Sequence, residues 1–280
     1  MKKIKNPIII TGMHRSGTSM LSRILERQGI FMGSQKEINN ESIFFLKINT
    51  WLMSSINSSW DNPKSFDCLS HKQKKIILKK IKDILSSRLN FLYAGFFHIF
   101  VKKNLFKNKI HWGWKDPRNT FTLDLWLKLF PNAKIINIMR HPLDVSQSLL
   151  VRQNKLLDID TNEKNNLKAK FFCLLNSSSS RLKSSTILKN IDECIDLYKK
   201  YNDQVEQNLN SYNKQLINIK YEDLLIDTQN TLALIFKFID IPVDKSKIAI
   251  IEKELDKNRA FAYKNIRLSY DKDTLESINY

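Results

Sequence analysis

Glycine and proline are scarce: six of each punctuate 280 residues. Few turns are therefore written into the chain, and a helix-rich fold is expected. Cysteine is nearly absent too. Cys68, Cys173 and Cys194 are odd in number and show no CxxC or Cys/His spacing. That excludes a disulfide framework, gives no sign of zinc, and fits a reducing, cytoplasmic setting. No run reaches the roughly 20 apolar residues of a membrane span. The longest, Phe91 to Val101, is broken by Gly95 and His98; it reads as a buried helix or as a patch docking to a membrane surface. Lys2, Lys3 and Lys5 make a basic start, but the apolar run behind them is only Ile8 to Ile10, too short for a signal peptide. Repeats and Pro/Gly/Ser-rich linkers are missing, and Ser177 to Ser180 is the one low-complexity spot.

Negative charge is also in short supply. The chain holds 28 Asp+Glu against 46 Lys+Arg, a net +18. The surplus points to an anionic partner: nucleotide, nucleic acid, acidic glycan or membrane surface. The alternative is a solvated face, as at Lys72, Lys74, Lys75, Lys79, Lys80 and Lys82.

What is present is an alternation of buried strands and amphipathic helices. Strands are expected at Pro7–Thr11, His111–Trp114, Lys134–Met139 and Leu216–Tyr221. Helices are expected at Ser19–Gln28, Glu41–Met53, Lys72–Leu92, Phe121–Phe130, Leu143–Gln153, Ile187–Leu209 and Thr228–Ile239. Such alternation predicts a mainly parallel sheet flanked by helices, with ligands bound beyond the carboxyl ends of the strands.

Two segments fall at such ends. Gly12-Met13-His14-Arg15-Ser16-Gly17-Thr18-Ser19 has the G-x-x-x-x-G spacing of a phosphate loop between a strand and a helix, but Thr18 stands where a nucleoside triphosphatase carries lysine. The glycines permit a tight turn, the amides from Arg15 to Ser19 meet an anion at the helix N-terminus, and Ser16, Thr18 and Ser19 add hydroxyls. Arg15 adds a fixed charge. A Gly/Ser turn that only caps a helix is the competing reading. The second segment runs from Arg140 through His141, Pro142 and Asp144 to Ser148. Ser148 lies about two helical turns beyond Arg140, so both can hold one phosphate. A structural ion pair between Arg140 and Asp144 is the alternative.

Taken together, these segments resemble sulfotransferases that use 3′-phosphoadenosine 5′-phosphosulfate (PAPS). Residues 11–21 resemble that family's 5′-phosphosulfate loop, and Arg140 to Ser148 its 3′-phosphate motif. Trp114-Lys115-Asp116-Pro117-Arg118, Phe130 to Ile136 and Tyr221-Glu222-Asp223-Leu224 resemble segments frequent in bacterial members. The likeness runs in order over residues 7–240. It implies a P-loop-like three-layer α/β fold, a single domain over 1–280, a helical insertion at about 41–105 and a C-terminal tail at about 255–280. Arg15 replaces the loop lysine of the cytosolic branch, and no glycine-rich C-terminal segment is found. Asn258, Arg259 and Lys264 are the candidates for its cofactor contact.

The resemblance implies PAPS as co-substrate with no metal, and an acceptor hydroxyl on a small molecule or glycan, anionic groups included, sulfated in the cytoplasm. Cofactor binding is expected at His14, Arg15, Ser16, Gly17, Thr18, Ser19, Arg140 and Ser148. Catalysis is expected at Arg15, Glu41 and Lys115. Glu41 looks like the family's general base, with Glu37 and His14 as the other candidates and helix capping as its simpler role. Lys115 and Arg118 either meet the sulfonate or acceptor or bridge to Asp116 or Asp124. Tyr221 to Asp223 read as a strand end. Two rivals remain open at this level: a P-loop kinase acting on a nucleotide or small metabolite, and a nucleic-acid-binding protein, for which charge alone speaks.

Overall fold

The computed structural model describes residues 6–95, 110–162, 184–266, 268–278 and 280. Among them four strands form one sheet: β1 (Ile8–Thr11), β2 (Gly113–Lys115), β3 (Lys134–Met139) and β4 (Leu216–Lys220). The order is β2-β1-β3-β4 and every pairing is parallel, with Ile9 opposite both Trp114 and Ile135. β1 is buried along its whole length, which is why its sequence is an unbroken apolar run and not an alternation.

The strand pleat sends alternate side chains into two cores. Ile9, Ile135 and Leu216 pack against α2 (Ile43–Ser54), α3 (His71–Ser86), α4 (Phe91–Ala94) and α5 (Asn119–Leu129). Phe45 of α2 stacks on Trp114 at 4.0 Å. Ile8, Ile10, Ile136, Ile138 and Ile219 face α1 (Thr18–Arg27) and three helices late in the chain. A third cluster joins Met13 and Phe121 to α6 (Pro142–Asn162) and α7 (Ile191–Tyr212). The late helices are α8 (Tyr221–Ile226), α9 (Thr228–Phe238) and α10 (Lys245–Glu254), followed by α11 (Lys272–Glu276). The layers are helix, sheet and helix, as expected from the alternation.

Several boundaries differ from the sequence expectation, each for a local reason. Lys72–Leu92 is two helices, because Ser87 is extended (φ −78°, ψ 168°) and its hydroxyl caps a short turn at Arg88–Asn90. α7 starts at Ile191, not Ile187, because Asn190 and Glu193 form a reciprocal capping box. α6 continues to Asn162, and β2 starts two residues and ends one residue later than expected. α1 ends as foreseen at Gly29, whose φ of 90° supports paired bonds from the Gly29 and Ile30 amides to Glu26 and Leu25. Only Phe91 to Gly95 of the apolar Phe91–Val101 run is described, and Cys173 and Ser177 to Ser180 lie outside the described residues. Among the described residues no helix is long and apolar enough to cross a membrane.

Candidate functional site

β1, β2 and β3 all deliver their carboxyl ends to one cleft of about 380 Å³. The loop after β1 forms its floor. Gly12 takes φ 132°, Arg15 φ 71° and Gly17 φ 99°. Arg15 is the costly one, since a side chain in the left-handed region is disfavoured by about 1–2 kcal/mol; such strain concentrates at ligand clamps. A Cβ on Gly17 would overlap the Tyr221 ring, standing 2.7 Å from Cε2. α1 has no side-chain cap on its N-terminus, so its first amides remain for an anion.

Ser16 departs from the expectation. Its amide and its hydroxyl both donate to the Met13 carbonyl, at 3.2 and 2.7 Å, and the residue is fully buried. Its hydroxyl braces the loop from behind instead of facing the cleft. Ser19 donates to the Asn39 carbonyl at 2.6 Å. His14, Arg15, Gly17, Thr18 and Ser19 do line the cleft.

The segment after β3 supplies the opposite wall. Arg140 donates to the Arg259 carbonyl at 3.0 Å, pairs with Asp144 at 3.3 Å and lies over the Tyr221 ring at 4.8 Å. The Arg140–Asp144 ion pair weighed as an alternative is therefore present, yet Arg140 still lines the cleft. Its Nε is buried without a hydrogen-bond partner. The two motifs meet directly: Arg15 Nε donates to Ser148 Oγ at 2.8 Å. The backbone of this turn is held by the C-terminal half. Glu222 accepts from the His141 amide at 3.0 Å and from the Tyr280 hydroxyl, and Asp144 accepts from the Tyr263 amide at 2.7 Å. His141 stacks on Tyr263 at 4.1 Å; burial holds its imidazole down at about 4.

The third element is a buried ion pair. Lys115, at the end of β2, donates to Glu41 at 2.6 Å and to the Asn39 carbonyl at 2.5 Å. Both partners are almost inaccessible, at 1 % and 5 % exposure. Burial raises the Glu41 carboxyl above its usual range, against the pull of Lys115, and lowers the Lys115 ammonium. Asp116 does not bridge to Lys115. It pairs with Arg118 at 3.1 Å and accepts from Asn49 at 2.9 Å. Asp124 binds Lys128 instead. Glu41 is not a helix cap either, since α2 begins after Ser42. Of the alternative bases, Glu37 does not line the cleft, while His14 does. Burial and the charges of Arg118, Arg152, Lys115 and Arg15 lower the affinity of the His14 ring for a proton.

The cleft residues that sequence reasoning overlooked include Arg23, Arg152 and the ring of Tyr221. A signal existed for the arginines. Arg23 lies four residues after Ser19 and Arg152 four after Ser148, so each shares a helix face with an expected site residue. Of the C-terminal candidates only Arg259 lines the cleft. Burial together with Arg152, Arg259 and Arg140 lowers the Arg15 guanidinium. Such mutual repulsion is relieved by an anionic ligand. No group of three or more His, Cys, Asp or Glu side chains among the described residues is placed to hold a metal ion.

Comparison with curated proteins finds no match. Solved structures share the fold. The sulfotransferase domain from the curacin biosynthetic pathway superposes with a TM-score of 0.54 at 16 % identity, covering 98 % of this chain and 96 % of that one. The sulfotransferase domain of the Synechococcus PCC 7002 olefin synthase gives 0.52 at 15 % identity, covering 99 % and 95 %. The model of the sulfotransferase family matches residues 7–245. That match takes in the Gly12–Ser19 loop, the Lys115–Glu41 pair and the Arg140–Ser148 motif, and the chain belongs to the sulfotransferase family.

Proposed function

We propose that the protein transfers a sulfuryl group from PAPS to an acceptor hydroxyl on a saccharide or glycolipid. The observation that carries this reading is the Arg15–Ser148 hydrogen bond, which joins the loop and the second motif around one cleft. The donor set fits a bis-phosphorylated ligand. The buried, unpartnered Nε of Arg140 and the hydroxyl of Ser148 suit the 3′-phosphate, and the uncapped start of α1 with Arg15 suits the 5′ end. Tyr221 backs both, packed on Gly17 on one side and under Arg140 on the other.

When bound, PAPS supplies the activated sulfuryl group. Arg15 then places a permanent charge against the leaving phosphate, in the manner of other positioning-and-charge catalysts. Lys115 has three N–H donors, of which Glu41 and Asn39 take two, leaving one for a ligand oxygen. Glu41 is the group we assign to take the acceptor's proton. Its raised affinity for protons suits a base, and its carboxylate lies in the cleft wall beside Lys115. The fold, built on one sheet with helices on both faces, serves as a single catalytic unit in this reading. The free thiols of Cys68 and Cys194 support action in a reducing compartment.

Calorimetry with adenosine 3′,5′-bisphosphate and with ATP, each with and without Mg²⁺, tests the assignment. The bisphosphate should bind more tightly, independently of Mg²⁺. Preference for ATP–Mg²⁺ would instead establish the kinase reading.

A further inference from the structure

Apart from Arg23, the cations in and beside the cleft fall into two groups. Arg140 and Arg259 form one, joined by a hydrogen bond and set beside Tyr221. Lys115, Arg118 and Arg152 form the other, around His14 and Glu41. Arg15 lies between and feels both. In the second group two charges are already answered: Lys115 by Glu41 at 2.6 Å and Arg118 by Asp116 at 3.1 Å. Arg152 has no carboxylate at ion-pair distance among the described residues.

Its placement is nonetheless fixed. Arg152 projects from α6 one turn beyond Ser148, on the same face and away from Arg140. Its guanidinium lies over the Trp60 ring at 5.2 Å, and that ring meets His14 edge-on at 4.9 Å. The ring contact holds the guanidinium in place, and its N–H groups, which make no hydrogen bond among the described residues, can bind a planar or tetrahedral oxyanion. Arg152 feels the negative charge of Glu41, which Lys115 already binds at 2.6 Å; a fixed cation with no ion pair of its own beside the assigned base lies where an acceptor must sit, not where the nucleotide's 3′-phosphate sits.

We infer that Arg152 is a specificity-determining residue, and that the acceptor carries an oxyanion, carboxylate or phosphate, close to the hydroxyl presented to Glu41. This rests on the sulfotransferase reading above and narrows its acceptor to acidic or phosphorylated saccharides.

The test is calorimetry in two stages. First, wild type and Arg152→Met are titrated with adenosine 3′,5′-bisphosphate. Failure of the wild type to bind it defeats the functional reading itself; similar affinity in both proteins clears the way. Second, each bisphosphate-loaded protein is titrated with glucuronate, glucose 6-phosphate and glucose, which separates carboxylate from phosphate from neutral sugar. At least one oxyanion should bind the wild type about tenfold or more tightly than glucose, and Arg152→Met should remove that margin, given the strength of a bidentate charged contact. Arg152→Lys should restore only part of it. Three results overturn the inference: no preference for either oxyanion over glucose, an undiminished preference in Arg152→Met, or loss of bisphosphate binding in Arg152→Met, which would assign the residue to the nucleotide.

Discussion

Gly17→Ala perturbs the site where its loop meets the Tyr221 ring. Gly17 and Gly29 share a positive φ, 99° and 90°, but differ in surroundings. Gly29 has nothing within 4 Å of an added Cβ, whereas at Gly17 that atom overlaps Tyr221. Backbone strain costs about 1–2 kcal/mol at either position. Overpacking adds about 1–3 kcal/mol at Gly17 alone, because Tyr221 is 3 % exposed and has little room to swing away. Denaturant unfolding should therefore rank Gly17→Ala below Gly29→Ala by that second amount. The displaced ring also carries Arg140 at 4.8 Å. A cation–π contact is worth about 0.5–2 kcal/mol, so affinity for adenosine 3′,5′-bisphosphate should fall about tenfold in Gly17→Ala and stay level in Gly29→Ala. Equal stability of the two variants together with unchanged bisphosphate affinity would refute the packing argument.

Arg15→Ala should cut turnover by about 10²–10³, the usual effect of removing one charge-stabilising donor, without unfolding the protein. Arg15→Gly relieves the φ of 71° and should be equally slow but no less stable; normal turnover in either folded variant counts against a catalytic Arg15. Glu41 must be ionised to accept a proton, so the rate should fall as pH drops through its raised pKa, above the ordinary 4.5. Glu41→Gln keeps an acceptor for Lys115 and should remove that acid limb while lowering kcat by about 10²–10⁴; an unaltered pH–rate profile would exclude Glu41 as the base. Asn49 is fully buried and bonds Asp116, Asn119, Thr122 and Trp126. Asn49→Ala should cost about 3 kcal/mol by equilibrium unfolding, since it leaves Asp116 Oδ2 and the Trp126 indole N–H without the partner they share, although Arg118 still holds Asp116 Oδ1; a loss within noise would show the network to be dispensable. His141 binds its proton only near pH 4 when folded, against 6.5 when free. Stability should therefore decline as pH falls between those values, because the unfolded chain then binds the extra proton. His141→Gln should flatten that decline.

The sequence by itself determined the sheet, the phosphate loop and the second motif. These are local features: a buried strand must be apolar throughout, a loop that turns on glycine must place it at fixed spacing, and Arg140 and Ser148 are set by helical periodicity. Glu41 and Lys115 were legible as candidates, but their 2.6 Å contact was not, because nothing local relates residues 74 positions apart. Only the tertiary structure decided which groups face the ligand. Packing turned Ser16 away to Met13 and brought Tyr221 against Gly17. It drew Arg259 to Arg140 and set Arg152 beside Glu41 without an ion pair of its own. Chain periodicity assigns a residue to a face of its own element. What lies opposite that face depends on how the sheet orders its strands and on which helices pack over their carboxyl ends.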